Sequence, residues 1–529
     1  MKNPATSEFQ AIRAPREDGR ATIVPELAMA DTLLKNNVAN AGSLPDGLAS
    51  LRAPARGQLL SDANRYSSSY RGGVEQPDES WIVMAGHQPT LFHSGVWFKN
   101  FALAHVGQRL GATSVNLVID SDVSGARSIR VPHRDGERIH YETVVYDRGG
   151  QGVPFEQTLI EERERFDSFD ISVRRALAGL VDAPIVGPLW KHAREAIDRC
   201  GYAGCAIAQA RHAFEAEIGL QTVEIPQSVI CRSQCFADFA LQILRDAPRF
   251  RSSYNSAADT FRAANGIRSN AHPVPNLGRD GDWYETPFWL YGNQSPKRRS
   301  VWVRRAGSSI EISDRVRRTR RIENVESQGA VDALASAVSP EFKLRSRALI
   351  TTMYARLILS DLFLHGIGGG KYDELGGQIA ADFWGIQPPE FMVLSATVHL
   401  PGANDHSPQA ILSSLSDAHR KRRDLIYQPE RFEGARPEWV AQKRALLAAM
   451  PPRGQRKQWH RSINQLNQRL SSELSDVGRV IDHRIDELES EYRESLIWSS
   501  REHSFCLFPL EHLTESFHSM LALGEETIA

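Results

Sequence analysis

Three short stretches of the chain concentrate side chains able to move protons or hold an anion. Gly86–Gly95, GHQPTLFHSG, brings His87, Gln88, Thr90, His93 and Ser94 together beside Gly86 and Gly95. Imidazoles titrate near neutrality and serve as acid, base or donor to developing negative charge, although a histidine in a polar loop is as readily structural. Ile119–Val123, IDSDV, supplies Asp120 and Asp122. Carboxylates there hold Mg2+, orient a substrate amine or act as a base; the rival reading is a turn or helix-cap aspartate. His365–Glu374, HGIGGGKYDE, joins His365 to Gly366, Gly368, Gly369 and Gly370, followed by Lys371 and Tyr372. Glycines let a backbone approach a ligand closely, and their N–H groups cradle a phosphate or carboxylate; the alternative is a structural glycine turn. The stretch is not a Walker A loop, because His365 stands where its first glycine belongs and Tyr372 where Ser or Thr is needed.

Each stretch follows an apolar run and precedes a helical one. Trp81–Ala85 reads as a buried strand, Gly86 permits a turn, and Pro89 forbids continuation of a central strand. From Gly95 onward, Val96, Phe98, Phe101 and Ala102 mark one apolar face of a helix reaching Leu110. Val115–Ile119 is a second strand about 30 residues on, the size of a βαβ unit. Ala348–Leu359 is helical, Asp361–Leu364 a short strand, and a helix is expected from near Asp373. Parallel strands joined by right-handed crossovers put their carboxyl ends on one edge of a sheet. His87, His93, Asp120, Asp122, His365 and Lys371 are therefore expected to line one crevice.

The remainder supplies further elements. Residues 1–75 read as an irregular, partly helical wrap, with Leu27–Leu34 as a helix. Ser128–Tyr146 suggests a hairpin, and 155–220 is mostly helical. Thr222–Cys231 reads as a strand at a sheet edge because of Pro226, and a helix follows through Arg245. The polar stretch with Tyr254, Asn255, Asn270, His272, Pro273, Pro275 and Asn276, running into Trp283–Asn293 with Glu285, reads either as a binding loop or as a loop packed on the core. Ser300–Arg304 and Ser309–Ile312 form a hairpin pattern, and Asp314–Arg321 reads as a solvated basic loop, with a phosphate-contacting patch as its rival. Phe391–Leu400 is one more strand.

Beyond Pro401 only helical signals occur. From Ile463 to Leu496 apolar residues recur at spacings of three and four in an 11-residue repeat. That predicts a nearly straight helix of about 50 Å. Its stripe needs cover, either from the segment near 410–450 or from another subunit, and a homodimer through these helices is expected. Ser504–Leu510 returns to the main body. The resulting divisions are 1–75, an α/β core over 76–400 with insertions at about 150–345, a helical domain over 401–503, and a return segment over 504–529.

Bulk properties narrow the partners. The chain has 529 residues, 41% hydrophobic and 24% charged, enough for two or three domains. A net charge of −1 lacks the basic field of a general nucleic-acid binder, which leaves a small-molecule substrate. No apolar run reaches the length of a membrane span, and the N-terminus has no hydrophobic signal core. Five cysteines in so long a chain fit a reducing cytoplasm. Cys200, Cys205, Cys231 and Cys235 are spaced more loosely than zinc pairs, so no metal site is expected from them.

Taken with the helical C-terminus, GHQPTLFHSG, IDSDV and HGIGGGKYDE resemble, in order, the motifs of the bacillithiol-biosynthesis cysteine-adding enzymes. The resemblance spans roughly residues 80 to 510 and is concentrated in those three blocks. It implies a Rossmann-like, nucleotidyltransferase-like parallel sheet with inserted segments and a C-terminal α-helical coiled-coil domain. It also implies a ligase-like activity adding cysteine to a glucosaminyl-malate-type precursor, and a nucleotide such as ATP or ADP as ligand. His93 with Thr90 would then stabilise developing negative charge, Asp120 or Asp122 would orient an amine or Mg2+, and Gly366–Lys371 would bind an anionic group. The chain departs from the pattern at Val96, which replaces the second histidine of a nucleotidyltransferase HxGH signature. Its turn after the second strand also carries less charge and no histidine. Both departures suggest a divergent branch with a substrate of its own. A nucleotidyltransferase and a non-catalytic ligand-binding protein of the same fold are the other readings.

Overall fold

The computed structural model describes residues 12–72, 81–136, 138–149, 152–269, 274–402 and 407–526. Asn270, His272 and Pro273 of the polar stretch lie outside them. The architecture is α/β, and its contacts divide into two units.

The larger unit is built on a six-stranded sheet: β1 (Arg20–Val24), β2 (Ile82–His87), β3 (Thr113–Val118), β4 (Val223–Pro226), β5 (Leu362–His365) and β6 (Phe391–Thr397). The order is β1-β6-β5-β2-β3-β4; β1 runs antiparallel to β6, and every other neighbouring pair is parallel. The strand pattern read from the three motifs is thus present, with β2 central between β5 and β3. Pro226 ends β4 at the sheet edge, where its missing N–H costs no ladder bond, and the backbone turns directly into a short helix instead of continuing to Cys231. The N-terminal segment is more regular than expected. It supplies β1 and two helices, Ala30–Ala41 and Asp46–Ser68. Arg52 and Arg56 of the second helix ion-pair with buried Asp361 at 3.0 and 2.7 Å, and Asp361 also accepts the Ile82 N–H. One carboxylate thereby ties that helix to the starts of β2 and β5.

Helix Ser94–Leu110 is buried on nearly every side because it lies between the sheet and the returning C-terminal segment. Trp97 packs on Phe505 at 4.7 Å, and Phe98 and Phe101 meet Phe517 at 5.5 and 5.0 Å. Ser504–Leu510 thus packs on this helix, and Phe505 N–H donates to Phe92 O beside the GHQPT turn.

The described residues of the segment from Tyr254 to Asn293 include a helix and a strand. Tyr254 and Asn255 belong to helix Ala247–Ala264, and Trp283–Gly292 is a strand. That strand lies between Ser295–Ala306 and Lys343–Ser346 in a second, antiparallel sheet, which continues through Ser309–Ser313 and Thr319–Ile322. Phe288, Leu290 and Tyr291 of that strand are fully buried, and its pairing shifts register between Thr286 and Trp289 and again between Leu290 and Gly292. Asp314–Val316 remains a turn, its Asp314 carboxylate accepting the N–H groups of Val316, Arg317 and Arg318.

The second unit comprises Pro132–Glu142, the tip of the 128–145 hairpin, together with His399–Ser500. Its long helix is broken: Arg456–Glu473 and Ser475–Trp498 meet at Leu474, which has φ −91 and ψ 23. From Leu474 to Leu488 the apolar stripe is covered within the same chain. Leu474, Ile481, Ile485 and Leu488 pack with Ala418 and Leu425 of helix Pro408–Tyr427. Of the two covers expected, the one from the segment near 410–450 is present for this part of the stripe.

Among the described residues no helix is long and apolar enough to cross a membrane.

Candidate functional site

A cavity of about 580 Å3 opens at the carboxyl ends of β2, β3 and β5. The first motif lines it with Gly86, His87, Gln88, Thr90, His93 and Gly95, the second with Asp122, and the third with His365, Gly366, Gly368 and Gly369. Topology alone predicted this meeting of residues far apart in sequence, because parallel strands present their ends together.

The helices deliver two N-termini to the same place. His93 is the N-cap of helix Ser94–Leu110, and its Nδ1 accepts the Gly95 N–H at 3.1 Å. An accepting Nδ1 leaves the proton on Nε2 of the neutral ring. Burial lowers the His93 pKa, against the opposing pull of Glu502. Gly95 is required by space: a Cβ there would stand 2.3 Å from Ala396 O. The third motif is also helical. Helix Ile367–Trp384 starts at the glycines, before the expected Asp373, so Gly368–Gly370 form its first turn. A Cβ on Gly368 would meet nothing, on Gly369 would stand 2.9 Å from His365 Nδ1, and on Gly370 would strike Val393 at 2.4 Å. Gly370 therefore serves packing, while Gly369 leaves room for an imidazole.

That imidazole is held firmly. His365 Nε2 lies 2.8 Å from Asp373 Oδ2, which also takes Arg356 Nη1 at 2.5 Å, while Thr352 Oγ1 donates to Asp373 Oδ1. Arg356 beside it outweighs burial and holds the Asp373 carboxyl well below the usual range. A charged, acceptor-only carboxylate fixes the proton of neutral His365 on Nε2, leaving the Nδ1 lone pair on the side of Gly369. Burial lowers the His365 pKa despite Asp373, so the ring is neutral at neutral pH. Burial also pushes the His87 pKa well below 6.5, and its Nε2 has no partner among the described residues.

Sequence reasoning missed Lys99 and Arg501. Lys99 sits inside the apolar run VWFKNFALA, is 4% exposed, and donates from Nζ to Gly86 O at 2.6 Å at the cavity wall. Burial, then Arg211, lowers its pKa to about 8. The signal was available, since a lysine on a helix face otherwise apolar is either snorkelling or functional. Arg501 reaches the cavity from the returning tail, and its Nη2 donates to Ser395 Oγ at 3.0 Å. Nothing local in the sequence places it there.

Three expected residues stand elsewhere. Asp120 turns under the sheet edge, where it accepts the N–H of Ser228 at 2.9 Å and its hydroxyl at 2.5 Å, as a cap for helix Gln227–Ile230. Burial, then Glu156, nevertheless raises its pKa to about 7. Lys371 points off the other side of the first helical turn and lines a separate cavity with Arg13, Pro25 and Glu374. Tyr372 packs toward Phe261, its ring 5.9 Å away. Helical geometry separates these two from the glycines, since successive residues diverge by about 100°. Asp122 stays at the crevice but is already engaged, with Gln88 Nε2 and with Arg298 Nη1 at 2.9 Å.

No group of three or more His, Cys, Asp or Glu among the described residues is arranged to hold a metal ion. The chain matches no model of a known protein family, and no curated protein matches it significantly.

Proposed function

We propose that the protein is an enzyme of ligase or transferase type with a Rossmann-like core, which condenses an amine with the carboxyl of an amino acid on an anionic small molecule. The observation that carries this reading is the Asp373–His365 pair opening beside two helix N-termini, with Lys99 and Arg501 in the same crevice. His365 Nδ1 takes the proton of the attacking amine, and Asp373 stabilises the imidazolium that forms. The His93 Nε2–H, the Thr90 hydroxyl and the free N–H groups of the first turn at Gly368 stabilise the oxyanion. ATP, as co-substrate, would activate the carboxyl, and its phosphates fit the two helix N-termini flanked by Lys99 and Arg501. The resemblance names cysteine and a glucosaminyl-malate-type acceptor as first candidates, and reads the C-terminal helices as a coiled coil.

The test is incubation of the purified chain with cysteine, glucosaminyl malate and ATP, followed by mass spectrometry. A product equal to both reactants less water, absent with His365→Gln, is expected. Pyrophosphate release with a nucleotidylated small molecule and no condensation product would move the assignment to a nucleotidyltransferase. Ligand binding without turnover, unchanged by His365→Gln, would refute an enzymatic role.

A further inference from the structure

A second cavity, of about 250 Å3, adjoins the crevice and shares Ile119, Asp122, Ala348 and Thr351 with it. Its distinguishing wall comes from the second sheet and the strand end that follows it. Trp289 carries two guanidinium groups, Arg298 at 4.8 Å and Arg347 at 4.1 Å from its ring centroid. Stacking on an indole fixes the plane of a guanidinium and spares its N–H fork for planar oxyanions. Among the described residues Arg298 engages Nη1, toward Asp122 Oδ1 at 2.9 Å and Ser121 O at 3.1 Å. Arg347 Nη2 is spent on Glu285 at 2.7 Å and Ser300 Oγ at 2.9 Å, while its Nε is buried without a partner among the described residues. Both arginines line a void that continues into the crevice, and Arg298 keeps N–H groups unengaged among the described residues, which gives the cavity the chemistry of a subsite for a negatively charged group.

We infer that this cavity is a second anion subsite, in which Arg298 and Arg347 bind a carboxylate or phosphate carried by the far end of the substrate. The inference rests on the main crevice being the substrate site, and it specifies the substrate as one with two anionic groups. Asp122 lies on the border of the two cavities and is the internal competitor for Arg298. An anion arriving at Arg298 displaces the Asp122 carboxylate, which then faces the crevice and can hold the amine of the other reactant.

The competition gives the inference a signature that a purely structural ion pair lacks. The intact protein is titrated calorimetrically with L-malate and with pyrophosphate, and the preferred probe distinguishes a carboxylate from a phosphate source. Arg298→Gln is expected to weaken the preferred probe by about tenfold or more, because the amide cannot replace a charge-assisted hydrogen bond. Asp122→Asn is expected to tighten it, because the competing carboxylate is gone. Should Arg298→Gln not fold, the Asp122→Asn result decides alone. Failure of both probes to bind the wild type at millimolar concentration overturns the inference, as does Asp122→Asn leaving affinity for the preferred probe unchanged. If Gly368→Ala removes binding while both of these variants leave it intact, the subsite is wrong and the main crevice stands. If Arg298→Gln removes binding and Gly368→Ala does not, the subsite stands and the reading of the main crevice fails.

Discussion

Replacing Lys99 by Met removes a cation that the fold holds at a cost, and the sign of the effect on stability should change with pH. Lys99 is 4% exposed, and its pKa falls from 10.5 to about 8. That difference corresponds to about 3 kcal/mol of penalty on the ionised form in the folded state. Below pH 8 both folded and unfolded chains carry the charge, so the wild type bears the whole penalty. Between pH 8 and 10.5 the folded protein releases its proton while the unfolded chain keeps it, so stability rises with pH. Met fills similar volume without charge, but it leaves the Gly86 carbonyl without its donor, a loss of about 1–2 kcal/mol. At pH 7 the variant should therefore be more stable than wild type by about 1–2 kcal/mol, and near pH 10.5 it should be less stable by a similar amount. Urea unfolding at closely spaced pH values measures both. In condensation or binding assays the same variant should lose at least about tenfold, because a cation at the crevice wall is gone. A variant less stable than wild type at every pH would refute the argument, and unchanged ligand affinity would remove Lys99 from the site.

The glycines separate packing from binding. Gly95→Ala should abolish the folded state as judged by circular dichroism, since its Cβ meets a backbone oxygen at 2.3 Å. Gly368→Ala should leave the melting temperature equal or slightly higher and weaken anion binding by about tenfold, because its methyl group enters open space at a helix N-terminus. Burial raises the Asp120 pKa from 3.8 to about 7, so the ionised carboxylate destabilises the fold and wild-type stability should fall as pH rises through that window. Asp120→Asn should flatten that slope and leave catalysis within a few fold; an unchanged slope would contradict the assignment of the buried group. Leu474→Ala should cost about 2–5 kcal/mol and melt the helical unit first, with the mass in light scattering unchanged. Dissociation of an oligomer instead would show that the stripe also holds a second copy.

The sequence by itself determined the elements that depend on local pattern. The β-branched run before Gly86, the helix after His93, the strand before His365 and the helical C-terminus all follow from periodicity and from glycine and proline, whose backbone constraints act wherever they stand. It also determined that His87, His93, Asp122 and His365 share one edge, because chain connectivity and strand twist leave one common arrangement for parallel strands. Tertiary structure alone decided which side of an element each side chain uses. Asp120 and Asp122 are two residues apart, yet one caps a buried helix and the other borders two cavities. Lys371 follows Gly370 directly, but a helix that begins at Ile367 turns it off the crevice. The stripe from Ile463 to Leu496 called for an apolar cover, and only the fold chose helix Pro408–Tyr427 to provide it from Leu474 to Leu488. Asp373, Arg356 and Thr352 became the support of His365 through contacts between separate helices, and Arg501 entered from a tail more than a hundred residues beyond β5. Such pairings are set by packing at a distance, where the energies of many candidate partners are nearly equal until the core fixes the geometry.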